Sequence, residues 1–351
     1  MTDLSETYMD KSADVHEPKG RLARRWASTR HFRPVLLLLV CGFILLSVTQ
    51  QYFFAEENLE NLVTGVGVLW IIAIGMTFVV LTGGVDLSAS AIATLCGLLF
   101  AKTLNGHVPG IVAVLIAMAA GGLVGGLVNG MLISRLRLSF FVVTLASMTA
   151  FTGLANLWTN TNSVSITNPI AADIAINKSA GVPNLIWIMI ALLLIALYVQ
   201  SRTYFGRDVY SVGGNQTAAR LAGIRVPRVL TSVYAISAAC SGLAGIVAAG
   251  QVGSATPVVD GTIPLQAIAA VLLGGTSLFG GAGGVGGTAL GVLFIGLVQN
   301  GLSIAGVQSS WQDIVTGCIL VVAVLGSQLG YATGTRRRLA AIVVRLRAGE
   351  A

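Results

Sequence analysis

Between Val229 and Tyr331 the chain carries no lysine or arginine, and its only acids are Asp260 and Asp313. A water-soluble domain cannot cover itself with so little charge. Soluble proteins average about 25% charged residues; these 351 residues hold 10%, with 55% hydrophobic. Lipid must therefore solvate much of the surface. A helix of about 20 apolar residues crosses a bilayer core, because each residue rises about 1.5 Å. Helices are required because backbone groups in lipid must pair within their own segment. A β-barrel would alternate over short segments, whereas the runs Pro34 to Cys41 and Leu185 to Leu194 are continuously apolar.

The expected fold is all-α, a polytopic transmembrane helical bundle. Spans are expected near 34–47, 62–82, 88–104, 109–134, 139–158, 185–201, 229–250, 264–280, 286–306 and 313–332. That is ten crossings; if two helices around Gly274 to Gly287 are re-entrant, it is eight. Basic residues favour the cytoplasmic side. Lys19, Arg21, Arg24, Arg25, Arg30 and Arg33 place the N-terminus there. Counting onward places Arg135 and Arg137 inside, then Arg202, Arg207, Arg220, Arg225 and Arg228, then Arg336 to Arg338 with Arg345 and Arg347. Both termini are thus cytoplasmic. The organisation is a basic cytoplasmic arm (1–33), a transmembrane domain (34–332) with a cytoplasmic loop (202–228), and a basic cytoplasmic tail (333–351). A cleaved signal peptide is the rival reading of the start. The polar lead is long for one, and bulky residues, Gln50 to Phe54, follow the first span. Two segments, 159–184 and 251–263, fall outside and read either as receptor-facing loops or as plain connectors.

Several chemistries are excluded. Cys41, Cys96, Cys240 and Cys318 lie in apolar spans with neither metal-ligand nor disulfide spacing. His16, His31 and His107 form no metal pair and no catalytic cluster with acids. No catalytic residue, metal site or cofactor is expected. The net charge of +7 suits anionic lipid headgroups, and nothing suggests nucleic acid. The four lysines, Lys11, Lys19, Lys102 and Lys178, follow no phosphate-binding glycine loop. Energy for any transport must come from a partner or an ion gradient.

The 43 glycines cluster at Gly121-Gly122, Gly125-Gly126, Gly274-Gly275, Gly280-Gly281, Gly283-Gly284 and Gly286-Gly287. Gly122-x-x-x-Gly126 suits close helix packing. The run from 274 to 287 is too dense for a continuous helix, since each Gly costs about 1 kcal/mol relative to Ala. A break at membrane depth is tolerated only against protein or a water-filled cavity. Leu81-Thr82-Gly83-Gly84-Val85-Asp86-Leu87-Ser88 is a second such place, echoed by Leu272-Leu273-Gly274-Gly275-Thr276-Ser277-Leu278. Deep in lipid Asp86 would cost about 3 kcal/mol; at a helix N-terminus it would gain roughly 0.3–1 kcal/mol. A cap, a polar contact on a pathway, and a proton-coupling group are the three readings of it.

In the 202–228 loop, Asn215 is a good N-cap and Gly223 a good C′ residue. Between them a short helix is expected over Gln216 to Ala222, with the small face Ala218, Ala219, Ala222 and the cation Arg220. So short a helix needs docking to be stable, either on its own membrane domain or on another subunit.

Four stretches in this order, Gly75-Met-Thr-Phe-Val-Val-Leu-Thr-Gly-Gly-Val-Asp-Leu-Ser, Gly126-Leu-Val-Asn-Gly with Phe141-Val-Val-Thr-Leu, Gly206-Arg-Asp-Val-Tyr-Ser-Val-Gly-Gly-Asn, and Ala267-Ile-Ala-Ala-Val-Leu-Leu-Gly-Gly-Thr-Ser-Leu-Phe-Gly-Gly, resemble the permeases of ribose-, xylose-, arabinose- and galactoside-type ABC importers. That group extends to branched-chain amino-acid permeases, and the resemblance covers about 35–332. It implies a permease that is not itself an enzyme, paired with a second copy as a homodimer. It also implies a cytoplasmic ABC ATPase that binds the ATP, and an extracytoplasmic sugar-binding protein. The loop residues Gly206, Arg207, Gly213, Gly214, Asn215, Ala219, Arg220 and Gly223 would couple to the ATPase. Thr82, Gly83, Gly84, Asp86, Ser88, Asn129, Gly274, Gly275, Thr276 and Ser277 would line the translocation pathway. Two departures stand out: Pro264-Leu265-Gln266 where the family commonly has acids, and Ala282 where it commonly has Arg. Gradient-driven secondary transporter, membrane enzyme and membrane scaffold are the rival classes.

Overall fold

The structure, a computed structural model, describes residues 33–325. The basic arm before Arg33, the end of the last expected span and the tail 333–351 lie outside the described residues. In chain order the helices are α1 (Arg33–Thr49), α2 (Glu56–Gly65), α3 (Gly67–Leu81), α4 (Ala89–Asn105) and α5 (Gly110–Val124). A π-helical turn (Gly125–Gly130) continues α5 into α6 (Met131–Ser134), followed by α7 (Phe140–Thr159), α8 (Ile170–Ala175), α9 (Asn184–Arg202), α10 (Tyr204–Gly214) and α11 (Gln216–Leu221). Then come α12 (Val226–Val252), α13 (Thr262–Leu273) and α14 (Val285–Ile304), and last α15 (Ser309–Leu325). Every expected apolar span contains a helix. Among the described residues, 6 helices are long and apolar enough to cross a membrane, and α1, α4, α13 and α15 are shorter apolar helices.

Three expectations are corrected. The span placed at 264–280 is helical only to Leu273, because Gly275, Gly280, Gly281 and Gly283 take positive φ, which no α-helix allows. The 202–228 loop holds two helices, α10 and α11, rather than one. The helix Glu56–Leu81 also begins ahead of the expected residue 62.

Packing sorts the helices into centre and rim. α3 is apolar on all sides and buried along nearly its whole length, as a helix without a polar face must be. α12 packs on α3, α4, α5 and the π turn. Its start carries Pro227, tolerated in a first turn where the N–H is unpaired anyway. Its end is closed by Gly253 at φ +71. Outward faces of α1, α5, α7 and α9 expose Leu37, Ile44, Ile111, Leu115, Val142, Leu157, Leu194 and Ile195. So continuous an apolar exterior is what lipid solvates. Cys96 and Cys240 are buried, Cys41 and Cys318 exposed, all unbridged. Among the described residues no group of His, Cys, Asp and Glu is placed to hold a metal.

Small residues set the central approach. A Cβ on Gly245 of α12 would lie 1.9 Å from the Ala93 carbonyl oxygen of α4, and one on Gly97 would lie 2.9 Å from that of Gly245. The glycine face that runs from α5 into the π turn packs on Ala238 and Tyr234 through Gly121 and Gly125. The segments after α7 and after α12 meet at one end of the bundle, where β1 (Val164–Ser165) pairs antiparallel with β4 (Ser254–Ala255). A short pair, β2 (Lys178–Ser179) with β3 (Val182–Pro183), lies in the same region of sequence, and Lys178 forms an ion pair with Glu60. The 203–225 segment lies at the other end of α12, about 40 Å away for 27 residues.

Gly245→Leu is expected to part α4 from α12 and to lower stability by about 1–3 kcal/mol or more, the cost of overpacking. Gly153, with open space where its Cβ would be, is the control. Gly153→Ala should stabilise α7 by about 0.5–1 kcal/mol. Thermal unfolding of the detergent-solubilised protein checks both.

Candidate functional site

The first backbone break follows α3. The N–H groups of Thr82, Gly83 and Gly84 fold back onto the Val79 and Val80 carbonyls, with Gly83 at φ +80. The chain then runs without regular structure through Val85 and Asp86 and turns at Leu87 and Ser88 before α4 begins at Ala89. Tyr234 of α12 donates to the Val85 carbonyl at 3.2 Å. The Asp86 side chain is fully buried. One carboxylate oxygen accepts from the Ser88 N–H at 3.1 Å and the Ser88 hydroxyl at 2.5 Å. The other accepts from the Ser237 hydroxyl of α12 at 3.0 Å. Asn129 donates to Ser88 Oγ at 2.7 Å and accepts from Ser147 of α7 at 2.5 Å. Asn129 itself is presented by the π turn. One buried network thus ties the break to α12, the π turn and α7. Among the described residues Asp86 has no ion-pair partner; three donors and the start of α4 compensate the carboxylate instead.

The second break follows α13. Thr276 N–H bonds back to the Val271 carbonyl, and Ser277 N–H reaches Ala282 O at 2.9 Å, closing a tight turn. Thr276 Oγ1 accepts from the Gly284 N–H at 3.1 Å. Gly274 lies against Gly287 so closely that a Cβ would sit 2.3 Å from the Gly287 carbonyl carbon. Thr77 and Thr288 share a buried hydrogen bond of 2.8 Å between α3 and α14. Ala282 contributes its backbone carbonyl to this turn, a contact any side chain at that position permits.

The 203–225 segment is latched onto both breaks. Thr203 caps α10 by accepting from the Gly206 N–H at 3.1 Å. The inner face of α10 buries Gly206, Val209 and Val212. A Cβ on Gly213 would lie 1.8 Å from the Leu81 carbonyl oxygen and 2.6 Å from the Gly281 nitrogen. That nitrogen donates to the same Leu81 oxygen at 2.9 Å. A Cβ on Gly281 would lie 2.9 Å from the Gly214 Cα. Tyr210 of α10 donates to the Gly283 carbonyl at 2.6 Å and accepts from Gln200 at 2.7 Å. Gln200 in turn accepts from the Val285 N–H at 2.8 Å. Burial pushes the Tyr210 phenol above its usual range, against the hydrogen bond from Gln200, so it keeps its proton as donor to Gly283.

α11 stands away from this junction. Asn215 caps it, accepting from the Thr217 and Ala218 N–H groups at 2.9 Å each. Gly223 closes it at φ +82, its N–H on the Arg220 carbonyl at 3.0 Å. Ala219 faces inward, whereas Leu221 is 87% exposed and Arg220 is exposed. Arg207 lies 4.3 Å above the Tyr204 ring, itself 80% exposed.

Residues assigned in sequence to two separate tasks therefore meet. Thr82, Gly83 and Gly84 lie with Gly213, Gly214 and the 280–284 turn at one junction, and Gly274, Gly275, Thr276 and Ser277 frame that turn. Asp86, Ser88 and Asn129 form a second cluster. Sequence reasoning missed Gln200, Tyr210, Ser147 and Ser237. The signal for the serines was a hydroxyl inside an otherwise apolar span; for Tyr210 it was position on the inner face of an amphipathic α10.

Residues 58–324 match the family model described as the branched-chain amino acid transport system permease component. The chain is 36% identical over 294 residues to the ribose import permease protein of Escherichia coli (strain K12), covering 83% of this chain and 91% of that protein. It is 33% identical over 305 residues to the L-arabinose ABC transporter permease protein of Azospirillum brasilense, covering 87% and 89%. It is 33% identical over 293 residues to the D-allose transport system permease protein of Escherichia coli (strain K12), covering 82% and 88%. No solved structure matches the chain significantly. With a family match across most of its helices and relatives aligned over nearly their full length, the chain belongs to the permease components of the branched-chain amino acid transport system family.

Proposed function

We propose that this chain is the membrane-embedded subunit of an ATP-driven importer of a monosaccharide or related polyol in the inner membrane. The observation that carries the mechanism is the junction of Gly213, Leu81 and Gly281. It connects an exposed, capped helix pair to both backbone breaks by direct backbone contact. The similarity to permeases for ribose, L-arabinose and D-allose supports a sugar as the transported solute.

In this reading the chain crosses the membrane ten times with both termini inside, and the 203–225 segment faces the cytoplasm. A separate ATPase receives Leu221, Arg220 and Tyr204, and an external binding protein delivers the sugar to the opposite end. Two copies of the chain pair around the route, and ATP is held by the ATPase, so the chain needs no cofactor of its own. The permease performs no covalent chemistry. The ATPase acts by binding one conformation of the permease more tightly than the other, and only that difference can move it. Movement of α11 reaches α10 through Asn215, and α10 carries Leu81 and the 280–284 turn with it. The Asp86 network anchors the start of α4 while the junction moves. A gradient-driven transporter would need an acid able to change its proton partner, and the Asp86 carboxylate already has three donors.

Gly213→Val is expected to force the junction apart, and about 1–3 kcal/mol of overpacking, borne by the coupled conformation, corresponds to a roughly 5- to 150-fold fall in sugar-stimulated ATP hydrolysis by the purified complex. Gly214→Trp, whose ring would find open space within the chain and project from an exposed position toward the docking ATPase, and Asn215→Pro, which removes a cap worth about 1 kcal/mol, should uncouple transport with membrane insertion intact. Full stimulated hydrolysis in these variants would reject the coupling assignment. Asp86→Leu leaves three donors unpaired and should cost about 1–3 kcal/mol per orphaned buried group; Asp86→Asn, which keeps an acceptor, should cost less. Thermal unfolding orders the two, and uptake driven by a proton gradient without ATP would refute the energy source.

A further inference from the structure

A cleft of about 360 Å³ lies between α5 and α7, with α4 as its floor. Both helices pack on α4, while α7 meets the α5 side mainly at the π turn. Beyond that turn α5 offers only Ala120 and Gly121, too short to fill the space. Across from them stand Leu154 and Trp158 of α7, 52% and 41% exposed. No acid, amide or hydroxyl side chain lines the cleft. A cation stands at its end. Leu95 and Leu99 belong to the floor, and Lys102 follows them at helical spacing on the same face of α4. Lys102 Nζ lies 4.5 Å from the centroid of the Trp158 ring and donates to the Trp158 carbonyl at 3.0 Å. That carbonyl belongs to the last turn of α7, where helical partners run out. An ammonium has three donors, so two remain, and among the described residues Lys102 has no ion-pair partner. Asn105, at the end of α4, donates to the Ser165 carbonyl of β1 at 2.8 Å. Lys102 and Trp158 thus sit where α4 and α7 leave the apolar layer, the depth that tryptophan and a snorkelling lysine favour.

We infer that this cleft holds one acyl chain of an anionic membrane phospholipid, whose phosphate accepts from Lys102. The inference does not depend on what the chain transports. A polar solute is a poor occupant, because its hydroxyls would be buried against aliphatic walls without partners. The two halves of the place fit one molecule. The apolar cleft takes the hydrocarbon, and the free donors of Lys102 take the phosphate at the point where headgroups begin. A zwitterionic headgroup carries its own cation beside the phosphate, and that cation opposes Lys102. An anionic headgroup does not. The Trp158 ring forms the hinge between the halves, with one part of it on the cleft and its face under the ammonium. Once bound, the acyl chain fills the space that Ala120 and Gly121 leave and braces α7 against α4 and α5.

The test uses the full chain in detergent with Trp26→Phe, Trp187→Phe and Trp311→Phe, which leaves Trp158 and the buried Trp70. The probes are phosphatidylglycerol and phosphatidylcholine with the same brominated acyl chains, and the readout is quenching of tryptophan fluorescence. Phosphatidylglycerol should quench saturably, at about fivefold lower concentration than phosphatidylcholine, the worth of one lysine at a lipid headgroup. Lys102→Gln should bring the two lipids together, and Lys102→Arg should restore the difference. Ala120→Phe should fill the cleft and remove the saturable quenching by both lipids. Equal quenching by the two lipids before Lys102 is changed would overturn the assignment of the phosphate. Saturable quenching that survives Ala120→Phe would overturn the cleft as the place of the acyl chain. A disulfide between two copies that forms in membranes only with Ala120→Cys would show the cleft covered by a second copy, and would overturn the lipid as its occupant. Should Ala120→Phe not fold, Leu154→Trp closes the cleft from the exposed opposite wall and decides in its place.

Discussion

A backbone group shut away from water must find its hydrogen bond within the protein, and this chain interrupts its helices twice in largely buried surroundings. The solution at both places is backbone against backbone. The Leu81 carbonyl, released by the end of α3, accepts from Gly281. The Gly283 carbonyl, released by the second break, accepts from Tyr210 of α10. Neither break is satisfied by its own neighbours in sequence alone. Each depends on a segment from elsewhere in the chain, so the two breaks and α10 form one mechanical unit. Glycine is required where Gly213 and Gly281 meet because a methyl group would already overlap a carbonyl oxygen or the facing backbone.

That dependence explains which parts of the structure were readable in advance. Apolar helices follow from local composition, and all the expected spans contain one. The capped helix α11 follows from Asn215 and Gly223, whose roles need only adjacent residues. α10 was overlooked because Tyr204 to Gly214 includes three glycines and charges that read as a loop; its helicity comes from burying Val209 and Val212 against the bundle. The early end of α13 was foreshadowed by its glycines, yet their partners lie at positions 81, 83, 213 and 287. No periodicity names partners at such separations. Ser147 and Ser237 stood out only weakly for a related reason: a hydroxyl in an apolar helix is ordinary until the third dimension shows what it faces.

The two clusters differ in kind. The junction of Gly213, Leu81 and Gly281 is made of backbone and glycine, and no charged group takes part in it. The Asp86 network is made of side chains in full burial, where losing one partner leaves another unpaired. The two lie on consecutive stretches of one segment. Of the two departures, Gln266 falls on neither and donates to Thr262 within α13, while Ala282 lies in the junction's turn and contributes its carbonyl there.

The π turn at Gly125–Gly130 places an unusual restriction on how related chains can diverge. Such a turn holds one residue more than an α-helical one, and a single residue is worth about 100° of rotation around a helix axis. Asn129 reaches Ser88 and Ser147 only with that offset in place. Deleting one residue there would restore an ordinary helix and swing the amide away from both serines. The length of the segment from Pro109 to Asn129 is therefore as much a determinant of the buried network as the residues that form it.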